Sequence, residues 1–112
     1  MGTDKYQNSK CLNISMINLD LFLEPDAGKI QLNIAKNVRN IRRRRKISQQ
    51  KLAEMSGVSY GSIRRFEKTG EVSLASLVHI AMALDLQQEL ADLFADVPYL
   101  TMEEAKRDAE ID

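Results

Sequence analysis

Ser48-Gln-Gln-Lys-Leu-Ala-Glu-Met-Ser-Gly-Val-Ser-Tyr-Gly-Ser-Ile-Arg-Arg-Phe-Glu67 decides the fold, because capping residues, short apolar runs and a glycine fall in the order that two helices and a tight turn require. Ser48 is placed to cap a helix over residues 49–56, and Gly57 to close it in the left-handed conformation. Ser59 then caps a second helix over residues 60–68, which Gly70 ends. Leu52 and Ala53 point inward in the first helix, Ala53 being small where the two helices cross. Val58 and Ile63 plug the angle between them, and Phe66 continues the buried side. The expected product is a rigid corner of two short helices.

Upstream, Glu24-Pro25-Asp26 suits the first turn of a long helix over residues 26–45, on which Ile30, Ile34, Val38, Ile41 and Arg45 recur at helical spacing. Downstream, Ser73 caps a helix over residues 74–84 that turns Leu77, Ile80, Ala81 and Leu84 inward. A fifth helix over residues 87–94 presents Leu90, Leu93 and Phe94, and Pro98 breaks the chain after it. Thr101-x-x-Glu104 has the form of a capping box opening a short, charged terminal helix. The expectation is an all-α domain over residues 25–97 followed by an acidic tail helix over residues 98–112. Residues 1–24 form an N-terminal arm. Its first part, 1–11, is polar and without periodicity, but residues 12–23 alternate apolar and polar side chains with a phase slip at Met16-Ile17, as in a short strand. Such a strand needs a partner, either its copy in a second subunit or the helices themselves.

The formal net charge is zero, but the charge is unevenly distributed. Residues 1–35 carry three basic against four acidic side chains, residues 36–68 eleven against two, and residues 69–112 two against ten. The segments therefore stand at −1, +9 and −8. A +9 block is the footprint of a phosphate-binding surface, because each cation that neutralises a phosphate releases condensed counterions. No apolar stretch approaches the roughly 18 residues of a membrane span and no secretory signal opens the chain, so a cytoplasmic location is expected. Cys11 is the lone cysteine and reads as an inert thiol, and His79 as a surface residue; together they make no metal site. Met55 and Met82 read as core or half-core filler. Glu103, Glu104, Asp108 and Glu110 read as a solvated helix face, since no His, Cys or glycine-rich loop accompanies them. Neither an enzyme nor a cofactor is expected.

Residues 34–84 resemble the phage-repressor-like (Xre-type) helix-turn-helix family. The matching pieces are Val38-Arg-x-Ile-Arg42, Ile47-Ser-Gln-x-x-Leu-Ala53, Ser56-Gly-Val-Ser59, Ile63-x-x-Phe-Glu67, Gly70 and Ser73-Leu-x-x-Leu77. The resemblance implies a lambda-repressor-like fold, a homodimer and double-stranded DNA as partner, with the second motif helix entering the major groove. It places the base-reading positions on Ser59, Tyr60, Gly61 and Arg65, with Arg64 beside them. Arginine suits this task because its fork bonds guanine O6 and N7 together. Tyr60 suits either a thymine methyl or a phosphate, and Gly61 leaves room for close approach while reading nothing itself. Gln49 matches a phosphate contact at the start of the first motif helix, and Arg39, Arg43, Ser62 and Lys68 are the other phosphate candidates. Arg42 and Glu67 match a pair that the family buries as a structural salt bridge. Of the run Arg42 to Arg45, which spans the helix circumference, about two side chains can face DNA.

The segment Leu84-Asp-Leu-Gln-Gln-Glu-Leu-Ala-Asp-Leu-Phe94 and its continuation to Glu104 are similar to the endings of helix-turn-helix proteins that accompany HipA-like kinase toxins. Two functions follow from the sequence: a dimeric transcriptional repressor, or an antitoxin that binds a toxin protein as well as its own promoter.

Overall fold

The computed structural model describes residues 26–111; the arm, the strand expected within it and Cys11 lie outside the described residues. Six helices follow in order: α1 (Ala27–Arg44), α2 (Gln49–Ser56), α3 (Tyr60–Thr69), α4 (Leu74–Ala83), α5 (Gln87–Ala91) and α6 (Met102–Glu110). No strand occurs among the described residues. Serine hydroxyls start three of these helices, Ser48 accepting from Lys51 N–H, Ser59 from Ser62 N–H and Ser73 from Ser76 N–H, each at 3.0–3.1 Å. Asp26 does the same for α1 through Gly28 N–H at 2.8 Å. Each contact satisfies an amide that has no partner within its own helix.

Gly57 and Gly70 close α2 and α3 at φ of 76° and 84°. At Gly57 a Cβ would meet nothing within 4 Å, whereas at Gly70 it would lie 2.8 Å from the Gln31 carbonyl carbon and 2.9 Å from Leu32 N. Gly70 is therefore fixed twice, by its left-handed backbone and by the close approach of α1. α1 and α4 end without glycine, using Lys46 and Asp85 at φ of 59° and 58°. Ile47 N–H reaches back to Arg42 O and Leu86 N–H to Ala81 O, the six-residue closure that this ending makes.

Leu52, Val58, Ile63, Phe66, Ile80 and Leu84 form the core with Ala35, and Val38, Ile47, Ala53, Val72, Leu77 and Leu86 pack around it. α1 packs on α3, α2 on both α3 and α4, and α5 on α4. The buried line of α1 differs from the expected one. Ile30 and Ile34 keep almost half of their surface in solvent, and the position with no exposed surface is Ala35, where a small side chain lets α1 come close to the core. Two more expectations need correcting. Met55 and Met82 are exposed rather than core filler. α5 ends at Ala91, not Phe94: Leu93 N–H and Ala95 N–H close three-residue turns, and Phe94 takes φ of 64° and is left in solvent. α6 starts where Thr101 predicts, with Thr101 Oγ1 accepting from Glu104 N–H at 3.1 Å. The Glu104 carboxylate, however, accepts from Leu100 N–H, one residue before the cap. No helix of the described residues is long and apolar enough to cross a membrane.

Candidate nucleic-acid interface

α2 and α3 make the corner that the sequence predicts, and α1 lies beside α3. Between α1 and the outer side of α3 opens a cleft of about 780 Å³. It is lined by Arg39, Arg42 and Arg43 of α1, Gln49 of α2, and Gly61, Arg64, Arg65, Glu67, Lys68 and Thr69 of α3. Six cationic side chains thus line it together with one carboxylate, that of Glu67, which pairs with Arg42. The cations concentrate on one concave side, where polyanions are attracted most strongly.

The carboxylate belongs to a buried network. Arg42 Nε and Nη2 donate to the two oxygens of Glu67 at 2.7 and 2.9 Å, and Arg42 Nη1 donates to the Ile47 carbonyl at 2.7 Å. Gln49 Nε2 adds a bond to Glu67 Oε1 at 2.9 Å. No buried side-chain nitrogen or oxygen among the described residues lacks a partner, so the charges sit under the cleft floor fully paired. This network joins α1, α2 and α3 and sets how far the corner stands from α1.

The arginine run divides by direction. Arg42 turns inward, Arg43 and its neighbour one turn earlier, Arg39, line the basic cleft, and Arg44 borders an apolar groove on the other side of α1. Arg45 donates to the Leu84 carbonyl at the end of α4. On α3, Gly61, Arg64 and Arg65 line the cleft, while Ser59, Tyr60 and Ser62 occupy the exposed first turn. Space around Gly61 is open, with nothing within 4 Å of a built Cβ. The Arg64 guanidinium lies over the Tyr60 ring at 5.6 Å from its centroid, a cation–π contact across one helical turn. Ser59 Oγ, besides capping, donates to Ser62 Oγ at 2.8 Å.

Arg65 is held as well. Its Nε donates to Glu71 Oε2 at 2.9 Å and its Nη2 donates to the same oxygen. Thr69 Oγ1 donates to Arg65 O at 2.7 Å and accepts from Glu71 N–H at 3.1 Å. Sequence reasoning missed Thr69 and Glu71. The available signal is Thr69-Gly70-Glu71 itself, a left-handed glycine that folds the chain back over the last turn of α3.

A helical corner whose second helix presents its first turns beside a basic cleft is the geometry of a helix-turn-helix DNA-binding domain. Residues 37–98, more than half of the chain, match the family model of the Cro/C1-type HTH DNA-binding domain. The chain belongs to that family, and its helices take the lambda-repressor-like arrangement. No curated protein and no solved structure matches the chain significantly.

Proposed function

We propose that this protein is a sequence-specific, dimeric transcriptional regulator, a repressor, whose α3 reads the major groove of double-stranded DNA. The observation that carries the reading is the cleft of six cations directly beside the open face of α3. A major groove about 12 Å wide accepts one helix, and the phosphates on its rim then lie against the cations of α1. Arg65 and Arg64 reach base edges, Ser59 and Tyr60 meet the groove at the first turn of α3, and Gly61 lets the backbone come close. Arg39, Arg43, Ser62, Lys68 and the second amide N–H of Gln49 meet phosphate. Residues 25–97 act as the DNA-binding unit and residues 98–112 as an acidic tail, and the protein works in the cytoplasm beside its DNA.

The dimer reading rests on apolar side chains left in solvent after α5. Leu93, Phe94, Val97, Tyr99, Leu100 and Met102 are all more than half exposed and follow each other over ten residues. Runs of this kind mark contact surfaces. Selection of bound duplexes from a random pool tests DNA binding and dimerisation together. Enrichment of a palindrome with half-sites roughly 10 base pairs apart supports the reading, and a pool that stays random overturns it.

The same exposed run favours a second reading, in which a toxin protein covers it and the chain serves as an antitoxin that also binds its promoter. Purification from the native cell decides between them: a stoichiometric kinase-like partner supports the antitoxin, and this chain alone supports the solitary repressor.

A further inference from the structure

Arg65 is the α3 cation best placed to read a base, yet its guanidinium is already engaged by Glu71 through Nε and Nη2. We propose that Glu71 is a specificity-determining residue, a buttress that holds the Arg65 fork in the orientation required to bond a guanine. The inference rests on the DNA-reading role proposed above for α3.

The geometry divides the guanidinium into two edges. Glu71 Oε2 takes the side edge, made of Nε and Nη2. The end edge remains, made of Nη1 and the second hydrogen of Nη2, and among the described residues Nη1 has no acceptor. Two parallel N–H groups on that edge match guanine O6 and N7. The carboxylate is itself positioned: the Thr69 hydroxyl ties the Arg65 carbonyl to the Glu71 amide, and Gly70 between them takes the left-handed turn that brings residue 71 back beside residue 65. Reader and buttress are thus built on one helix ending.

An exposed ion pair of this kind contributes little to stability, so its consequence is expected in recognition. Holding a long side chain in its bound geometry before contact saves roughly 2- to 12-fold in affinity. That saving applies only where Arg65 meets its guanine. On a duplex lacking the site, the negative charge of Glu71 simply repels phosphate. Glu71 therefore lowers non-specific binding and raises specific binding relative to it.

The experiment measures dissociation constants of the full chain for its selected duplex and for a scrambled duplex at one salt concentration. The proteins are the wild type, Glu71→Gln, Glu71→Asp, Arg65→Ala and the double variant Arg65→Ala/Glu71→Gln, each checked by thermal melting. The buttress predicts that Glu71→Gln binds the scrambled duplex more tightly while the specific-to-scrambled ratio falls by roughly threefold or more. It predicts a smaller fall for Glu71→Asp, which withdraws the carboxylate but keeps its repulsion of phosphate, and no loss of affinity for the selected duplex when Glu71→Gln is added to Arg65→Ala. A ratio that stays the same or rises in Glu71→Gln overturns the inference, as does a wild-type ratio in Glu71→Asp. A wild-type protein that prefers no duplex overturns the DNA-reading role itself, and is told apart by the scrambled and selected constants being equal before any substitution.

Discussion

Arg42 and Glu67 meet with side chains only 9% and 4% exposed, whereas Arg65 and Glu71 meet with 69% and 54% of theirs in solvent. Both pairs join arginine to glutamate, and both arginines line the basic cleft. Burial separates their consequences. In the first pair each Arg42 nitrogen and each Glu67 oxygen is largely withdrawn from water and bonded to Ile47, Gln49 or the partner, so removing one member strands a charge in the protein. In the second, water can replace either partner, so the pair matters through where it points the guanidinium. The same two residue types therefore hold the helices together in one place and, on the proposed reading, orient a base-reading side chain in the other.

The largest expected effect comes from breaking the buried member. Arg42→Ala or Glu67→Ala should lower unfolding free energy by about 3–5 kcal/mol in urea denaturation, and replacing both by apolar residues should restore much of that loss. Gly70→Ala, between Glu67 and Glu71 in sequence, should cost about 2–5 kcal/mol, since a side chain there adds left-handed strain to a collision with the α1 backbone. Gly57→Ala, with the same backbone sign but open space, should cost only about 1–2 kcal/mol. Arg65→Ala should leave the melting temperature nearly unchanged but remove about 1–3 kcal/mol of discrimination at one base pair. Arg39→Ala or Arg43→Ala should instead weaken all duplexes alike and reduce the salt dependence of binding by about one unit of slope.

The smallest effect belongs to a third contact, on the surface. Tyr99 donates to Asp108, and that bond, with the charges of Asp108 and Glu104, raises the ionisation of the phenol above the ordinary tyrosine value. Because the folded value is the raised one, whatever the contact contributes is fully present below the unfolded value and is lost as pH rises through the folded one. An ultraviolet titration of tyrosinate should show one late-ionising component, and Tyr99→Phe should remove it.

Most of the helix boundaries were legible because caps are local chemistry. A serine before an apolar run and a glycine after it act within four residues, and Ser48, Gly57, Ser59, Gly70 and Ser73 all stand where the sequence places them. The Arg42–Glu67 pair was legible through the family resemblance. The buried line of α1 was not, because Ile30 and Ile34 give an apolar stripe while the closest packing needs the small Ala35, and size at a contact leaves no periodic mark. The end of α5 was missed since Leu90, Leu93 and Phe94 fit helical spacing, although Phe94 adopts a left-handed backbone. The contact between Arg65 and Glu71 spans six residues around a left-handed turn, a separation that helical and strand periodicities do not connect. The family resemblance and the free amides of the helix start point Gln49 to phosphate, whereas the bond of its side chain to Glu67 depends on how α2 meets α3 in space.

The reading of DNA by α3 is tested most directly by methylation interference on the selected duplex, comparing the wild type with Arg65→Ala. Methylation of guanine N7 blocks one of the two acceptors that an arginine fork requires. One guanine in each half-site should abolish wild-type binding when methylated and make no difference to Arg65→Ala. Identical interference patterns for the two proteins would contradict the account.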